Sequence, residues 1–278
     1  MKLNDELFEF GKNNEGICKV IDSDYVLITK KMPIQDKELE NYINSISEAK
    51  KDGIKIASIT DYKLIDGSSS SFNNGVTFSK GVFIEDRAKG NSFYFKQFYL
   101  NKDNSKEIIN EYTNSVNFYI DELERRSEAE ESVYEKLVSD ITSLPKYNLE
   151  VDPKPLNFFF DETKGYTIID PIPYTGLTKK EYYPQFIKAI VFGYGVSHLY
   201  LDNTDISMMS KEQFDRYKNA KKILLAKVEI ALLKHGFTES DLQIFEVIRN
   251  EKDPQIVDSV DTLDYVEDRL EEHKGFKL

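Results

Sequence analysis

The chain contains few of the side chains that form disulfides and metal clusters. Among its 278 residues there is one cysteine, Cys18, so no intramolecular disulfide and no multi-cysteine zinc site can form. The three histidines, His198, His235 and His273, are too far apart to give metal-ligand spacing. Neither a disulfide framework nor a metal site built from cysteines and histidines is therefore expected.

Positive charge is also in deficit. The sequence has 37 Lys and Arg residues against 49 Asp and Glu residues, which gives a formal net charge of −12. A phosphate backbone or an anionic bilayer would be repelled by this balance, so we expect neither a nucleic-acid nor a membrane partner. A small phosphorylated ligand stays compatible, because one local cationic pocket can hold it.

Long apolar runs are missing as well. The longest, around residues 189–196, is too short to span a membrane and contains two glycines. The N-terminal segment Met1–Glu6 lacks the apolar core of a signal peptide. The sequence therefore predicts a soluble cytoplasmic protein, with export by a route that needs no cleavable signal left open. Its hydrophobic residues, 40% of the total, suffice for one large core or two lobes.

Residues 1–86 read as a small antiparallel sheet of five strands with one helix. Turn residues separate the strand-like runs, and apolar residues recur at helical spacing in the segment 36–51. The predicted strands are Leu7–Phe10, Ile17–Ile21, Tyr25–Thr29, Ile54–Ile65 and Val76–Ile84.

Residues 87–278 read as mainly helical, with one strand pair formed by Asn157–Phe160 and Tyr166–Ile169. The fold class predicted for the whole chain is therefore α+β. The helices are predicted near 105–126, 127–143, 180–200, 211–235, 240–249 and 260–273.

The segment around the strand pair carries the most specific pattern. Asp152, Lys154, Pro155 and Asn157 precede the first strand, and Asp170 follows the second, thirteen residues after Asn157. In a hairpin, the first residue of one strand and the last residue of the other lie side by side at the open end. Asn157 and Asp170 are therefore predicted to be neighbours. Their oxygens are the hard ligands that Mg²⁺ prefers. The alternative is an ordinary surface turn rich in Asp and Pro.

These residues resemble the Asp-x-Lys-Pro-x-Asn catalytic loop of the serine/threonine members of the protein kinase superfamily. The resemblance implies a bilobal kinase-like fold with lobes 1–86 and 87–278, and phosphoryl transfer from ATP, with Mg²⁺ or Mn²⁺, to a hydroxyl of a protein or small molecule. It implies that Asp152 is the catalytic base and that Lys154 stabilises the transferred charge. Asn157 and Asp170 would be the metal ligands.

The family also has a lysine on its third strand that contacts the α- and β-phosphates. Strand alternation favours Lys30 for this position, with Lys31 as the alternative and a solvated lysine pair as the ordinary explanation. The helix should supply a glutamate that pairs with the lysine. Glu38, Glu40 and Glu48 are available, and the sequence assigns the role to none of them.

Three further positions follow from the resemblance. Main-chain groups near Glu85 and Arg87 are predicted to contact the adenine, unless the segment is only an interdomain linker. Gly11 and Gly16 have the outer spacing of the family's phosphate loop, although a plain hairpin turn fits equally well. Cys18 falls where the family has a small residue over the adenine, and we expect it to pack as an apolar side chain.

The chain also departs from the family. Glu150 and Val151 replace the His-Arg pair before the catalytic aspartate, Pro171 and Ile172 replace Phe-Gly after Asp170, and an Ala-Pro-Glu segment is absent. Without that arginine there is no obvious receptor for a phosphorylated activation loop. The chain is in this respect closer to the aminoglycoside-phosphotransferase branch or to divergent bacterial kinases. A pseudokinase, which binds a partner without phosphoryl transfer, is the alternative function.

Overall fold

The protein is a mixed α+β structure with mainly antiparallel sheets and five α-helices in the residues that the structure describes. One two-residue pair, Met208–Met209 with Gln255–Ile256, is parallel. The chain divides into two compact units. The first comprises Met1–Ser92, Lys136–Asp152 and Asn157–Leu177, and the second Phe93–Glu135, Pro153–Leu156 and Thr178–Leu278. The computed structural model describes residues 1–14, 18–32, 34–65, 70–71, 77–92, 105–176, 208–242 and 255–256.

The first unit is built on a five-stranded antiparallel sheet. Its strands are β1 (Cys18–Val20), β2 (Tyr25–Met32), β3 (Ile59–Leu64), β4 (Ser70–Ser71) and β5 (Thr77–Asp86). The spatial order is β1-β2-β5-β3, and β4 also pairs with β5. The ladder between β2 and β5 runs without a break from Tyr25 opposite Asp86 to Met32 opposite Ser79.

The N-terminal segment is helical, so the strand predicted for Leu7–Phe10 is wrong. Helix α1 spans Asp5–Asn13, and the side chain of Asn4 caps it by accepting a hydrogen bond from Leu7 N at 2.8 Å. Three apolar residues and Glu9 in a segment of four positions do not separate period 2 from period 3.6, and the capping residue Asn4 was the missed signal. Gly11 lies inside this helix, which contradicts the phosphate-loop interpretation at that position, and Gly16 lies outside the described residues.

Gly11 brings α1 close to the sheet. A β-carbon at this position would lie 2.5 Å from Val82 Cγ1 and 2.9 Å from Thr29 Oγ1. Phe8 of the same helix packs against the buried side chains of Leu27 and Val82. The glycine is therefore explained by the packing of the helix on the sheet.

Gly11→Ala is expected to lower the free energy of unfolding by roughly 1–3 kcal/mol, because the added methyl group overpacks the contact with Val82. Urea denaturation measures the change. Lys12→Ala, at the next and exposed position of the same helix, is the matched control and should stay within about 0.5 kcal/mol of the wild type. Equal stability of the Gly11 variant and the control would contradict the close packing.

Helix α2 spans Asp36–Lys51 and has the bounds that the sequence predicts. Leu39, Ile46 and Ala49 form its buried side. Gly53, with a φ of 88°, follows the helix in the left-handed conformation that glycine adopts readily. Between α2 and β3 the chain is irregular, with an isolated bridge at Ile56, so the strand predicted from Ile54 onwards begins later, at Ile59.

The rest of the first unit contains the predicted hairpin. It consists of β8 (Phe158–Asp161) and β9 (Gly165–Ile168), and β6 (Asn91–Ser92) pairs with β8. Two short strands, β7 (Leu149–Glu150) and β10 (Ile172–Pro173), pair antiparallel beside it. The bounds confirm the predicted strand pair to within one residue.

The second unit is mainly helical in its described part. It contains α3 (Ser105–Glu128), α5 (Lys211–Lys234) and the first turn of α4 (Glu131–Ser143). Arg216 of α5 lies 2.6 Å from both Asp121 and Glu124 of α3 and joins the two helices. The helices predicted near 105–126, 127–143 and 211–235 are confirmed. Those near 180–200 and 260–273, and most of 240–249, lie outside the described residues.

Candidate functional site

The hairpin brings the predicted metal ligands together. Its register places Phe158 opposite Ile168, and one further bond, from Ile169 N to Asn157 O at 2.9 Å, extends the pairing. Asp170 is the next residue after this bond. Asn157 and Asp170 are therefore held at the same open end of the hairpin, as the sequence predicts.

Hydrogen bonds in the turn of the hairpin fix the register of its two strands. Asp161 Oδ1 accepts hydrogen bonds from Thr163 N at 2.9 Å, Thr163 Oγ1 at 2.6 Å and Lys164 N at 2.9 Å. These bonds, that from the Thr163 hydroxyl first, lower the pKa of Asp161. Gly165 then takes a φ of 74°, which a glycine adopts without strain. A tightly closed turn of this kind does not allow the register to slip.

The side chain of Asn157 is buried and oriented. Its Nδ2 donates a hydrogen bond to the carbonyl oxygen of Asp152 at 3.1 Å. The side-chain nitrogen is thereby committed to the loop, and the amide oxygen Oδ1 is the atom that the predicted metal role would use. The Asp152 side chain is half-buried. Lys154 is exposed and belongs to the second unit.

Asp170 has an unusual backbone conformation. Its φ is 47°, in the left-handed region that residues with a β-carbon rarely adopt. The next residue, Pro171, is buried, and its carbonyl accepts a hydrogen bond from the hydroxyl of Tyr42 in α2. Strained backbone held in this way by its surroundings is concentrated at functional sites.

Lys30 forms the centre of a charged cluster in the first unit. Its Nζ lies 2.5 Å from Glu85 Oε1 and also forms a hydrogen-bonded ion pair with Asp170 Oδ1. The side chains of Lys30 and Glu85 are 14% and 10% exposed, whereas that of Asp170 is 36% exposed. The strand lysine that the sequence favours is thus joined to the predicted metal ligand Asp170. Lys31, the alternative, is exposed.

The cluster shifts the pKa values of its members. Burial alone would lower the pKa of Lys30, but the Glu85 and Asp170 carboxylates outweigh it and raise that pKa. Burial raises the pKa of Glu85, Lys30 opposes this effect, and Asp170 adds to it, so the pKa is above its ordinary value. Two carboxylates share one ammonium group here, and an added cation would relieve their repulsion.

Backbone hydrogen bonds attach the hairpin to the segment that follows α2. Ala57 N donates to Ile168 O at 2.8 Å, and Ile168 N donates to Lys55 O at 2.9 Å. Lys30, Asn157 and Asp170 therefore belong to one hydrogen-bonded framework within the first unit. This framework keeps Lys30 and Asp170, which are 140 positions apart in the chain, in contact with each other.

Glu150 has a role that the sequence does not reveal. Its carboxylate accepts hydrogen bonds from Thr175 Oγ1 at 2.8 Å and from Thr175 N at 3.1 Å. Together with the pairing of β7 and β10, these bonds fasten the segment after Asp170 to the segment before Asp152. By the resemblance, Glu150 stands at the histidine of the family's His-Arg pair and Val151 at the arginine, and the Glu150 carboxylate is already engaged by the following segment.

The adenine-binding prediction concerns the main-chain groups near Glu85 and Arg87, and these groups form hydrogen bonds within the protein. Arg87 N donates to Asp24 O at 2.7 Å. Glu85 lies between Val26 of β2 and Ile59 of β3, and its side chain faces Lys30. The side-chain role of Glu85 was missed, because a sequence interval does not show which residues are neighbours across a sheet.

Cys18 is exposed, so the expectation that it packs as an apolar side chain is wrong. Partial burial of the thiol and then the carboxylates of Glu85 and Asp170 raise its pKa. The only cysteine of the chain is therefore electrostatically coupled to the charged cluster. This makes it a natural site for a chemical reporter.

No protein-family profile and no curated protein matches the chain. Within the described ranges, no group of three or more His, Cys, Asp or Glu side chains is arranged to hold a metal ion. Nor does any helix in the described part of the chain have both the length and the apolar character to cross a membrane.

Tyr42→Phe is expected to lower the free energy of unfolding by about 1–3 kcal/mol, because it leaves the buried Pro171 carbonyl without its donor. Tyr147→Phe is the matched control. It removes a hydrogen bond of 2.5 Å to Asp52 at the surface and should cost less than about 1 kcal/mol. Urea denaturation of both variants measures the difference. Similar losses would contradict the anchoring role of Tyr42.

Proposed function

We propose that this protein is an ATP- and Mg²⁺-dependent phosphotransferase with a bilobal protein-kinase-like fold, acting on a hydroxyl group of a protein or small molecule. The observation that carries the proposal is the association of Lys30 with Asp170, which is itself fixed beside Asn157. A cation for phosphates and two oxygen ligands for a metal are the parts that phosphoryl transfer requires.

The donor set fits a hard divalent cation. Asn157 offers an amide oxygen because its nitrogen is turned to Asp152, and Asp170 offers a carboxylate that is partly exposed. Mg²⁺ or Mn²⁺ held by these two residues and by phosphate oxygens would neutralise negative charge on the triphosphate. Few protein ligands are needed, since Mg²⁺ usually keeps phosphate or water oxygens in its shell.

The other residues would act as follows. Lys30 binds the α- and β-phosphates, and Asp152 orients the acceptor hydroxyl and accepts its proton. Lys154 stabilises the charge on the transferred phosphoryl group. Adenine contacts with the main chain around Glu85 and Arg87 would have to replace existing bonds, since Arg87 N already donates to Asp24 O. All of these contributions are positioning and charge stabilisation, which dominate this class of reaction.

A kinase-fold binding module without phosphotransfer activity is the second candidate. The ion pair of Lys30 with Asp170 is compatible with this candidate too, because it occupies the charges of both residues with each other. A scaffold protein could keep this pair permanently. An enzyme has to exchange it for contacts with nucleotide and metal.

Thiol alkylation of Cys18 and thermal unfolding together test nucleotide binding. ATP with Mg²⁺ is expected to raise the unfolding temperature and to slow alkylation, because Cys18 is coupled to the cluster that would hold the phosphates. ATP with EDTA is the matched control. Incubation with radiolabelled ATP and Mg²⁺ or Mn²⁺ then tests transfer to the protein itself or to lysate components. Binding without a labelled product would favour the binding module, and the absence of both would overturn the proposal.

A further inference from the structure

The counterion of Lys30 comes from an unexpected element. In the kinase family the phosphate-binding lysine pairs with a glutamate of the helix, and the sequence offers Glu38, Glu40 and Glu48 for this role. All three are exposed in α2. The carboxylate that lies 2.5 Å from Lys30 Nζ instead belongs to Glu85 of β5.

The sheet fixes this pair. Val26, Ile28 and Lys30 alternate along β2 on one face, and their partners on β5 are Glu85, Phe83 and Gly81. Lys30 Nζ lies 5.7 Å from the centroid of the Phe83 ring, and Phe83 stands between Gly81 and Glu85 on the same face of β5. Because Gly81 has no side chain opposite Lys30, the lysine can extend along the sheet over Phe83. The β2–β5 ladder fixes the backbone positions of Lys30 and Glu85 relative to each other.

The two acidic partners of Lys30 differ in burial. The side chain of Glu85 is 10% exposed and lies in the middle of a sheet, whereas that of Asp170 is 36% exposed and lies at the end of a hairpin. Asp170 also has the strained backbone and is the predicted metal ligand. Asp170 is thus suited to exchange Lys30 for another partner, whereas Glu85 is suited to stay paired with Lys30.

We propose that Glu85 is the positioning residue of Lys30, and that it replaces the helix glutamate of the kinase family with a carboxylate supplied by the central strand of the sheet. The inference depends on the proposed function, because it concerns the lysine that would bind the ATP phosphates. When Asp170 turns to a metal, Glu85 keeps the Lys30 ammonium group in place for the phosphates.

A consequence for regulation follows. In an enzyme whose lysine pairs with a helix glutamate, outward movement of the helix breaks the pair and switches the site off. Here α2 contributes Tyr42, which bonds to the Pro171 carbonyl, and it contributes no charge to Lys30 through its exposed glutamates. The Glu85 partner of Lys30 therefore does not come from α2, whereas the segment after Asp170 is bonded to this helix through Tyr42.

The stability of the protein does not explain the buried carboxylate. The pKa of Glu85 is raised, with burial as the largest cause, so the folded structure disfavours its charged form. Glutamine has the same shape and no charge. Glu85→Gln is therefore expected to fold, which makes it a usable test.

The test compares Glu85→Gln with Glu38→Gln and Glu48→Gln, which each remove one carboxylate from the exposed side of α2. Acylation of Lys30, mapped by mass spectrometry in the absence of nucleotide, reports the position of the lysine, with Lys31 as an internal reference. We expect faster acylation of Lys30 in Glu85→Gln alone. We also expect about tenfold weaker binding of ATP with Mg²⁺ in this variant and less than twofold change in the helix variants.

The outcomes separate the inference from the proposed function. Unchanged acylation of Lys30 in Glu85→Gln, or faster acylation in a helix variant, would overturn the assignment of Glu85. Faster acylation of Lys30 in Glu85→Gln combined with unchanged ATP affinity would overturn its positioning role. A wild-type protein that binds no ATP would overturn the proposed function, and the positioning role with it, while the acylation pattern would still decide which carboxylate holds Lys30.

Discussion

Asp170→Asn is expected to abolish Mg²⁺-dependent phosphoryl transfer, with a loss on the order of a thousandfold or more, while the protein remains folded. The substitution keeps the size of the side chain and removes the charge that would bind the metal. Asparagine also tolerates the left-handed conformation better than most residues, so the φ of 47° at this position should be retained. Transfer of radiolabelled phosphate and thermal stabilisation by ATP with Mg²⁺ measure the effect.

The control for this variant is Glu162→Gln, which removes one carboxylate from the exposed turn of the same hairpin. It should transfer phosphate at a rate within about twofold of the wild type, since an exposed charge is screened by solvent. Full activity of the Asp170 variant would contradict its assignment as a metal ligand. Loss of activity in the control as well would indicate that the hairpin as a whole had been disturbed.

The parts of the fold that depend on local pattern could be predicted from the sequence. Helix α2 has the predicted bounds because its apolar positions, Leu39, Ile46 and Ala49, follow the helical period and a glycine stops it. The β8–β9 hairpin was predictable because its turn residues leave only one register. The first helix was not predictable, because the four-residue segment Leu7–Phe10, with three apolar residues, fits a strand equally well and only the capping residue Asn4 distinguishes the two.

The candidate site divides in the same way. Asn157 and Asp170 are neighbours because one hairpin connects them, so their spacing in the sequence predicts their proximity. The contacts of Glu85, Tyr42 and Glu150 join residues from separate elements, and spacing carries no information about them. Family resemblance pointed to the helix for the partner of Lys30, and the sheet supplies it instead. Cross-strand neighbours have to be read from the register of the sheet.

The fixed segment after Asp170 is the clearest case in which a departure from the family has a physical reason. The sequence shows only that Glu150 and Val151 replace the family's His-Arg pair, so that the arginine is missing, and that the segment is short. In the structure, the Glu150 carboxylate already accepts two hydrogen bonds from Thr175. A second anion placed on Thr175 would be repelled by Glu150, whereas an arginine would attract it. Control by phosphorylation of this segment is thus disfavoured electrostatically.

Lys30→Met is expected to lower the free energy of unfolding by roughly 2–4 kcal/mol and to eliminate binding of ATP with Mg²⁺. The stability loss arises because Glu85 stays buried without its cation, and the partly exposed Asp170 adds less. Lys31→Met is the matched control. It removes the neighbouring exposed lysine and should change stability by less than about 0.5 kcal/mol and leave binding intact.

The double variant Lys30→Met with Glu85→Gln separates the structural role of Lys30 from its proposed functional role. It contains no buried charge at either position, so most of the lost stability should return, as happens when both members of a buried pair become neutral. Binding of ATP should not return, because no cation is left for the phosphates. Urea denaturation and calorimetric titration with ATP and Mg²⁺ provide the two measurements. Recovered stability without recovered binding assigns Lys30 to the ligand, whereas recovery of both would assign the triphosphate to another cation of the chain.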